Sequence, residues 1–200
     1  MKQQIALVLT MWSFMAVPSA FAQGTDVPPA LELTIAPVGG TAFTSDSSPD
    51  FGGYSYGASI AYNINRIVGI EGEFGGIAGL KQDLELATGT VHEKTPNSAT
   101  YMGTVVVSVP GHRVVPYITG GIGALTLFQR AELGVTQNDT FFGGNVGGGV
   151  KWYAPNGRWG IRADYRFIAV QSKDDAPAFF GRETQYAHRV QGGLVLTLVR

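Results

Sequence analysis

Trp159-Gly160-Ile161-Arg162-Ala163-Asp164-Tyr165-Arg166-Phe167 alternates without a fault. Trp159, Ile161, Ala163, Tyr165 and Phe167 fall on one parity, and Gly160, Arg162, Asp164 and Arg166 on the other. A repeat of two is the signature of a β-strand whose faces meet different surroundings. Here one face carries every charge and the other none. Outward from this stretch, the same period runs through Tyr54, Tyr56, Ala58, Ile60 and Tyr62, interleaved with Ser55, Gly57, Ser59, Ala61 and Asn63. Eight such segments are read, at about 31–40, 52–63, 66–76, 99–109, 114–128, 140–153, 159–170 and 186–199. No helical pattern competes with them.

The connections between segments alternate as well. Asn63-Ile64-Asn65-Arg66, Pro110-Gly111-His112-Arg113 and Ala154-Pro155-Asn156-Gly157-Arg158 are tight and built from turn-forming residues. The other connections, about 41–51, 77–98, 129–139 and 171–185, are longer and polar. A meander with short turns on one side and long loops on the other matches a bacterial outer-membrane barrel. Segments of this length suit a tilted crossing of about 9–11 residues. The expected fold is all-β, an eight-stranded antiparallel up-and-down transmembrane β-barrel.

Composition agrees. Glycine makes up 28 of 200 residues, about twice average usage, while charged residues are 14% against an average of about 25%. Cysteine is absent, which excludes a disulfide scaffold. An apolar content of 44% argues against disorder. The net charge of −1 implies no nucleic-acid partner. At the N-terminus, Lys2 precedes an apolar run from Ile5 to Val17, and Ala20 and Ala22 stand at the small-residue positions of a cleavage site. The run is too short to span as a helix. Residues 1–22 therefore read as a signal peptide cleaved after Ala22, and 23–200 as the outer-membrane β-barrel domain.

The placement of charge sharpens the expectation. With the apolar face of each strand outward, Glu32, Glu71, Glu73 and Asp164 face inward, with Lys151, Arg162, Arg166 and Arg189. In lipid, an Arg or Lys on the outer wall at the midplane costs about 2–4 kcal/mol. An eight-stranded barrel has almost no free bore. Four acids and four bases are thus expected to form a paired, structural lumenal network, because unpaired ions there are severely unfavourable. Low or no conductance follows. Tyr54, Tyr56, Tyr62, Tyr101, Phe142, Trp152, Trp159, Tyr165, Phe167 and Tyr186 read as interfacial girdles. Gly143, Gly147 and Gly149 are expected on the crowded lumenal face. Each tight turn carries one arginine, Arg66, Arg113 or Arg158, and the long loops are rich in acids.

Gly57-Ala58-Ser59-Ile60-Ala61-Tyr62-Asn63 followed by Val68-Gly69-Ile70-Glu71-Gly72-Glu73-Phe74-Gly75-Gly76 resembles the second and third strands of the outer-membrane protein β-barrel domain family. Those are small porin-like barrels, similar to the transmembrane domain of outer-membrane protein A. Gly147-Gly148-Gly149-Val150 and Trp159 to Arg166 resemble the sixth and seventh strands, and Arg189 to Leu196 the last. The resemblance covers essentially the whole mature chain and implies a scaffold without a shared catalytic site. It also implies outer-membrane lipids, lipopolysaccharide and the barrel-assembly machinery as partners, with a monomer as the expected state. Two departures stand out. The chain ends Leu196-Thr197-Leu198-Val199-Arg200 where the family usually ends on an aromatic residue, and Pro37 interrupts the first strand. A bulge at Pro37, or a shorter strand, would accommodate the lost ladder donor. A cell-wall anchoring role like that of longer relatives is not expected from these segments.

Catalytic, metal and cofactor chemistry finds no residues to carry it. His92 in a long loop, His112 in a tight turn and His188 near the start of the last strand show no metal-ligand spacing. Small barrels of this size include lipid A deacylases with a His-Ser pair, but no serine can be assigned to His188. Ser98 and Ser172 read as loop residues and Ser108 as belonging to the other rim. Gly143 to Gly149 lacks the lysine of a phosphate loop. The expectation is a structural or porin-like envelope protein, with a narrow, side-chain-filled lumen and long loops as its recognition surface. Two alternatives stay open, a lipid-modifying enzyme using His188 and a secreted lipocalin-like barrel, the latter requiring an apolar lumen and a polar exterior.

Overall fold

The computed structural model describes residues 29–45, 48–86, 89–94, 97–111, 113–128, 138–173, 176 and 183–199. The proposed signal peptide and His112 lie outside them. The described strands are β1 (Leu31–Ser45), β2 (Ser48–Asn63), β3 (Val68–Leu86), β4 (Gly89–Lys94), β5 (Ser98–Ser108), β6 (Val114–Leu127), β7 (Asp139–Tyr153), β8 (Trp159–Val170) and β9 (Gln185–Val199). Every pairing is antiparallel. The sheet runs β2-β1-β9-β8-β7-β6-β5-β3, and a β2–β3 pairing closes it. Eight strands thus form a barrel with no edge in its wall, as lipid demands of a spanning sheet. The register is staggered. A walk from Glu32 through Ala61, Glu71, Thr104, Gly121, Asn145, Ile168 and Ala187 returns to β1 at Phe43, higher up the strand. That offset is the shear that tilts barrel strands.

Two expected long loops are largely strand. Within 41–51, β1 and β2 stay paired up to Ser45 opposite Ser48. Within 77–98, β3 continues to Leu86 and turns back as β4, which pairs with β3 from Lys81–Lys94 to Leu86–Gly89. His92, read as a loop residue, is therefore in β4 opposite Asp83. The cause is physical. Above the bilayer both faces of a ribbon meet water, so backbone pairing persists after the apolar/polar alternation has faded. At the tight end, β3 starts at Val68 rather than 66, because the Asn65 side-chain oxygen accepts the Ile67 and Val68 amides at 2.8 Å each. Gly157, at φ 59°, completes the 154–158 turn in a conformation that favours glycine.

Pro37 is met by a bulge in a strand that extends past it. Both registers of β1 slip there, between Ile35 and Val38 against β9 and between Ala36 and Gly40 against β2. The Tyr54 hydroxyl donates to the Pro37 carbonyl. That bond satisfies an acceptor which the bulge takes out of the ladder and which lipid cannot satisfy. Tyr54→Phe is expected to destabilise the barrel by about 1–3 kcal/mol, the cost of leaving an acceptor unpaired. The urea midpoint of the protein refolded into lipid vesicles reads this directly; an unchanged midpoint refutes it.

The two faces divide sharply. Ile60, Phe74, Ile118, Ile122, Phe142, Val146 and Val190 are each more than half exposed on the outside. Glu32, Glu71, Lys151, Arg162, Asp164, Arg166 and Arg189 are buried inside. This is an inverted arrangement for water and the proper one for a bilayer.

Candidate functional site: the charged lumen

The lumenal groups come from strands on opposite sides of the barrel. Glu71 and Glu73 sit two apart on β3, and Arg162, Asp164 and Arg166 two apart on β8. A spacing of two puts each set on one face, so the sets meet across the narrow bore. Arg162 grips Glu71 with both ends of its fork, at 2.6 Å to Oε2 and 3.1 Å to Oε1. It also donates to Asp164 Oδ2 at 2.6 Å. Arg166 adds a bond to Glu71 Oε1 at 3.0 Å and lies 3.4 Å from Glu73. Arg189, from β9, pairs with the other Glu73 oxygen at 2.6 Å. Towards the tight-turn end, Lys151 of β7 donates to Glu32 of β1 at 2.5 Å.

All eight charged residues assigned to the lumen are therefore in ion pairs. Two tyrosines join them that the sequence reading did not place inside. Tyr153 donates to Glu32. The Tyr117 hydroxyl accepts the Arg162 Nε–H at 2.7 Å and donates to Asp164 Oδ2 at 3.1 Å. Its ring lies 5.0 Å from the Arg162 guanidinium and 5.8 Å from the Lys151 ammonium, between the two clusters. Parity was the available signal for Tyr153, which shares a strand and a phase with Lys151. Room for Tyr117 comes from Gly149. A Cβ there would sit 2.3 Å from the Ala163 carbonyl oxygen and 2.6 Å from the Tyr117 hydroxyl.

Above the charges, at the long-loop end, Ile77, Met102, Leu125, Phe141, Ile168 and Val170 pack into a buried apolar layer. Beside the ion pairs, Thr34, Ser59, Glu73, Arg162, Asp164 and Gln191 line a cavity of about 20 Å³. That is room for a water and for no larger solute. Chemically, the arrangement can hold the walls together across the bore and can exclude a continuous aqueous path.

The histidines form no centre among the described residues, and no group of potential metal ligands is present there. His188 faces outward, and its Nδ1 is 2.6 Å from the Tyr165 hydroxyl. Ser98, read as a loop residue, is the first residue of β5 and is buried. Of the aromatic residues assigned to girdles, Trp152 and Trp159 meet edge to face at 5.9 Å near the tight turns. Tyr54, Tyr101, Phe142 and Tyr186 are exposed in the opposite half of their strands.

The sequence profile described as "Outer membrane protein beta-barrel domain" matches residues 6–196. No curated protein matches the chain in sequence. Among solved structures it is similar to neisserial surface protein A (12% identity, TM-score 0.61, 84% of this chain and 97% of that one). It is also similar to two proteins of Pseudomonas aeruginosa: the N-terminal β-barrel domain of OprF (13%, 0.50, 86% and 100%) and the outer membrane protein OprG (14%, 0.52, 84% and 96%). At these identities the likeness shows the fold alone.

Proposed function

Because the chain belongs to the outer membrane protein β-barrel domain family, and so to the bacterial outer membrane, we propose that it serves there as a structural envelope protein with a closed lumen, its long loops presented to the exterior as the recognition surface. The observation that carries this reading is the lumen: ion pairs from four acids and four bases under an apolar layer. Exchanging any one of these ions for water would break a buried pair, which costs about 3–5 kcal/mol. The barrel is exported on a signal peptide cleaved after Ala22, is inserted by the barrel-assembly machinery and works as a monomer among outer-membrane lipids and lipopolysaccharide, with no nucleic-acid partner and no cofactor.

Planar-bilayer recording of purified protein tests it. Brief, low-amplitude events or none are expected; a stable, large-conductance pore refutes the closed lumen. The barrel carries out no catalysis in this reading, since Tyr165 rather than a serine occupies the His188 ring nitrogen. Mass spectra of lipid A from cells expressing the protein should be unchanged. A lipocalin-like reading is opposed by the charged interior and apolar exterior.

A further inference from the structure

Among the strand residues whose side chains are described, His188 is the one outward-facing group that can carry a positive charge. It faces outward from β9 between lumenal Ala187 and Arg189, and pairs with Phe167 across β8–β9. Among the strand residues whose side chains are described, Glu32, Glu71, Glu73, Asp164, Lys151, Arg162, Arg166 and Arg189 are lumenal, so none of these carboxylates faces the imidazole. An ionisable group in such a place is costly unless it has a partner.

Its surroundings are specific. Nδ1 is bonded to the Tyr165 hydroxyl at 2.6 Å, and the imidazole stacks on the Tyr165 ring at 6.0 Å and 29°. Phe167 lies against it at 5.3 Å and stacks in turn on Tyr186 at 5.6 Å. The Tyr165 bond fixes the ring orientation and leaves Nε2, with no bonding partner among the described side chains, to the outer surface.

Depth follows from the strand. Trp159 marks the tight-turn girdle, and Phe167, level with His188, stands eight residues up the same strand. At about 3.3 Å per residue and a tilt of about 40°, His188 lies roughly 20 Å above that girdle. The apolar band of such a barrel is about 25 Å tall. His188 therefore sits just beneath the headgroups at the long-loop end, where the strongest acceptor is an anionic phosphoryl oxygen.

We propose that Tyr165 and His188 form a lipid-binding site in which Tyr165 donates to Nδ1 and His188 Nε2–H donates to a phosphoryl group of an outer-leaflet lipid. The site rests on the long loops facing the exterior, as proposed above, but not on the lumen being closed.

The test uses full-length mature barrel in nanodiscs of a neutral phosphatidylcholine, with bisphosphorylated lipid A or its dephosphorylated form added. The imidazole nitrogens are followed by 15N NMR and bound lipid by native mass spectrometry. Wild type is expected to show the Nε2–H tautomer, an Nε2 shift on adding lipid A alone, and several-fold greater retention of the phosphorylated form. His188→Phe should lose that preference and His188→Gln, which keeps an N–H donor, should retain part of it. A change in gel migration on heating verifies that both variants fold. An unshifted Nε2, or equal retention of the two lipids by folded wild type, overturns the site. A conducting barrel with an intact lipid preference would overturn the closed lumen and spare this site.

Discussion

Glu71→Ala is expected to cost the folded barrel about 3–5 kcal/mol. Glu71 takes three guanidinium bonds, two from Arg162 and one from Arg166, and all three residues are buried. Removing the carboxylate leaves both cations in place with one unit of uncompensated positive charge, and neither can reach water without opening the wall. The effect should appear as a large fall in the urea midpoint of protein refolded in lipid vesicles, followed by tryptophan fluorescence. Glu71→Gln keeps two polar atoms and should fall between. The double variant Glu71→Ala with Arg162→Met should recover much of the loss, because residues in one network are not additive. A cost below about 1 kcal/mol for Glu71→Ala, the range of exposed ion pairs, would show that the network does not brace the barrel.

Val146→Arg applies the same charge to the other face. Val146 stands midway along β7, faces outward and is 59% exposed. A guanidinium there has only acyl chains around it, so a loss of about 2–4 kcal/mol is expected. Leu198→Arg, close to the end of β9 and also outward, should cost about 0–1 kcal/mol because headgroups and water are within reach. Equal effects at the two positions would mean that the exposed apolar wall is not held in lipid. The contrast with Arg166, buried two residues from Asp164 and ion-paired with three acids, isolates the principle: the same side chain is tolerated or rejected according to the face it occupies.

Much of the architecture could be read before folding. Arg162, Asp164 and Arg166 on one parity are enough to assign a face to β8, and the same logic assigns Glu71 and Glu73 on β3. The strand ends above the membrane were not legible, as 41–51 and 77–98 show, because period-two hydropathy reports a difference between two faces. Where both are wet, there is no difference to report. Tyr117 and Tyr153 escaped for another reason. A tyrosine suits a girdle or a polar core equally well; parity with Lys151 could turn Tyr153 inward, but only contacts such as those with Asp164 and Glu32 fix what each ring does there.

Alternation within the chain was sufficient for the strands and for their inside and outside faces, since each is a local property of successive residues in a strand. Which acid meets which base was not. Glu32 and Lys151 are 119 positions apart, and Arg162 and Glu71 are 91. Their pairing depends on the shear that sets strand heights and on Gly149 making space for Tyr117. Those are relations between strands, and they exist only once the barrel has closed.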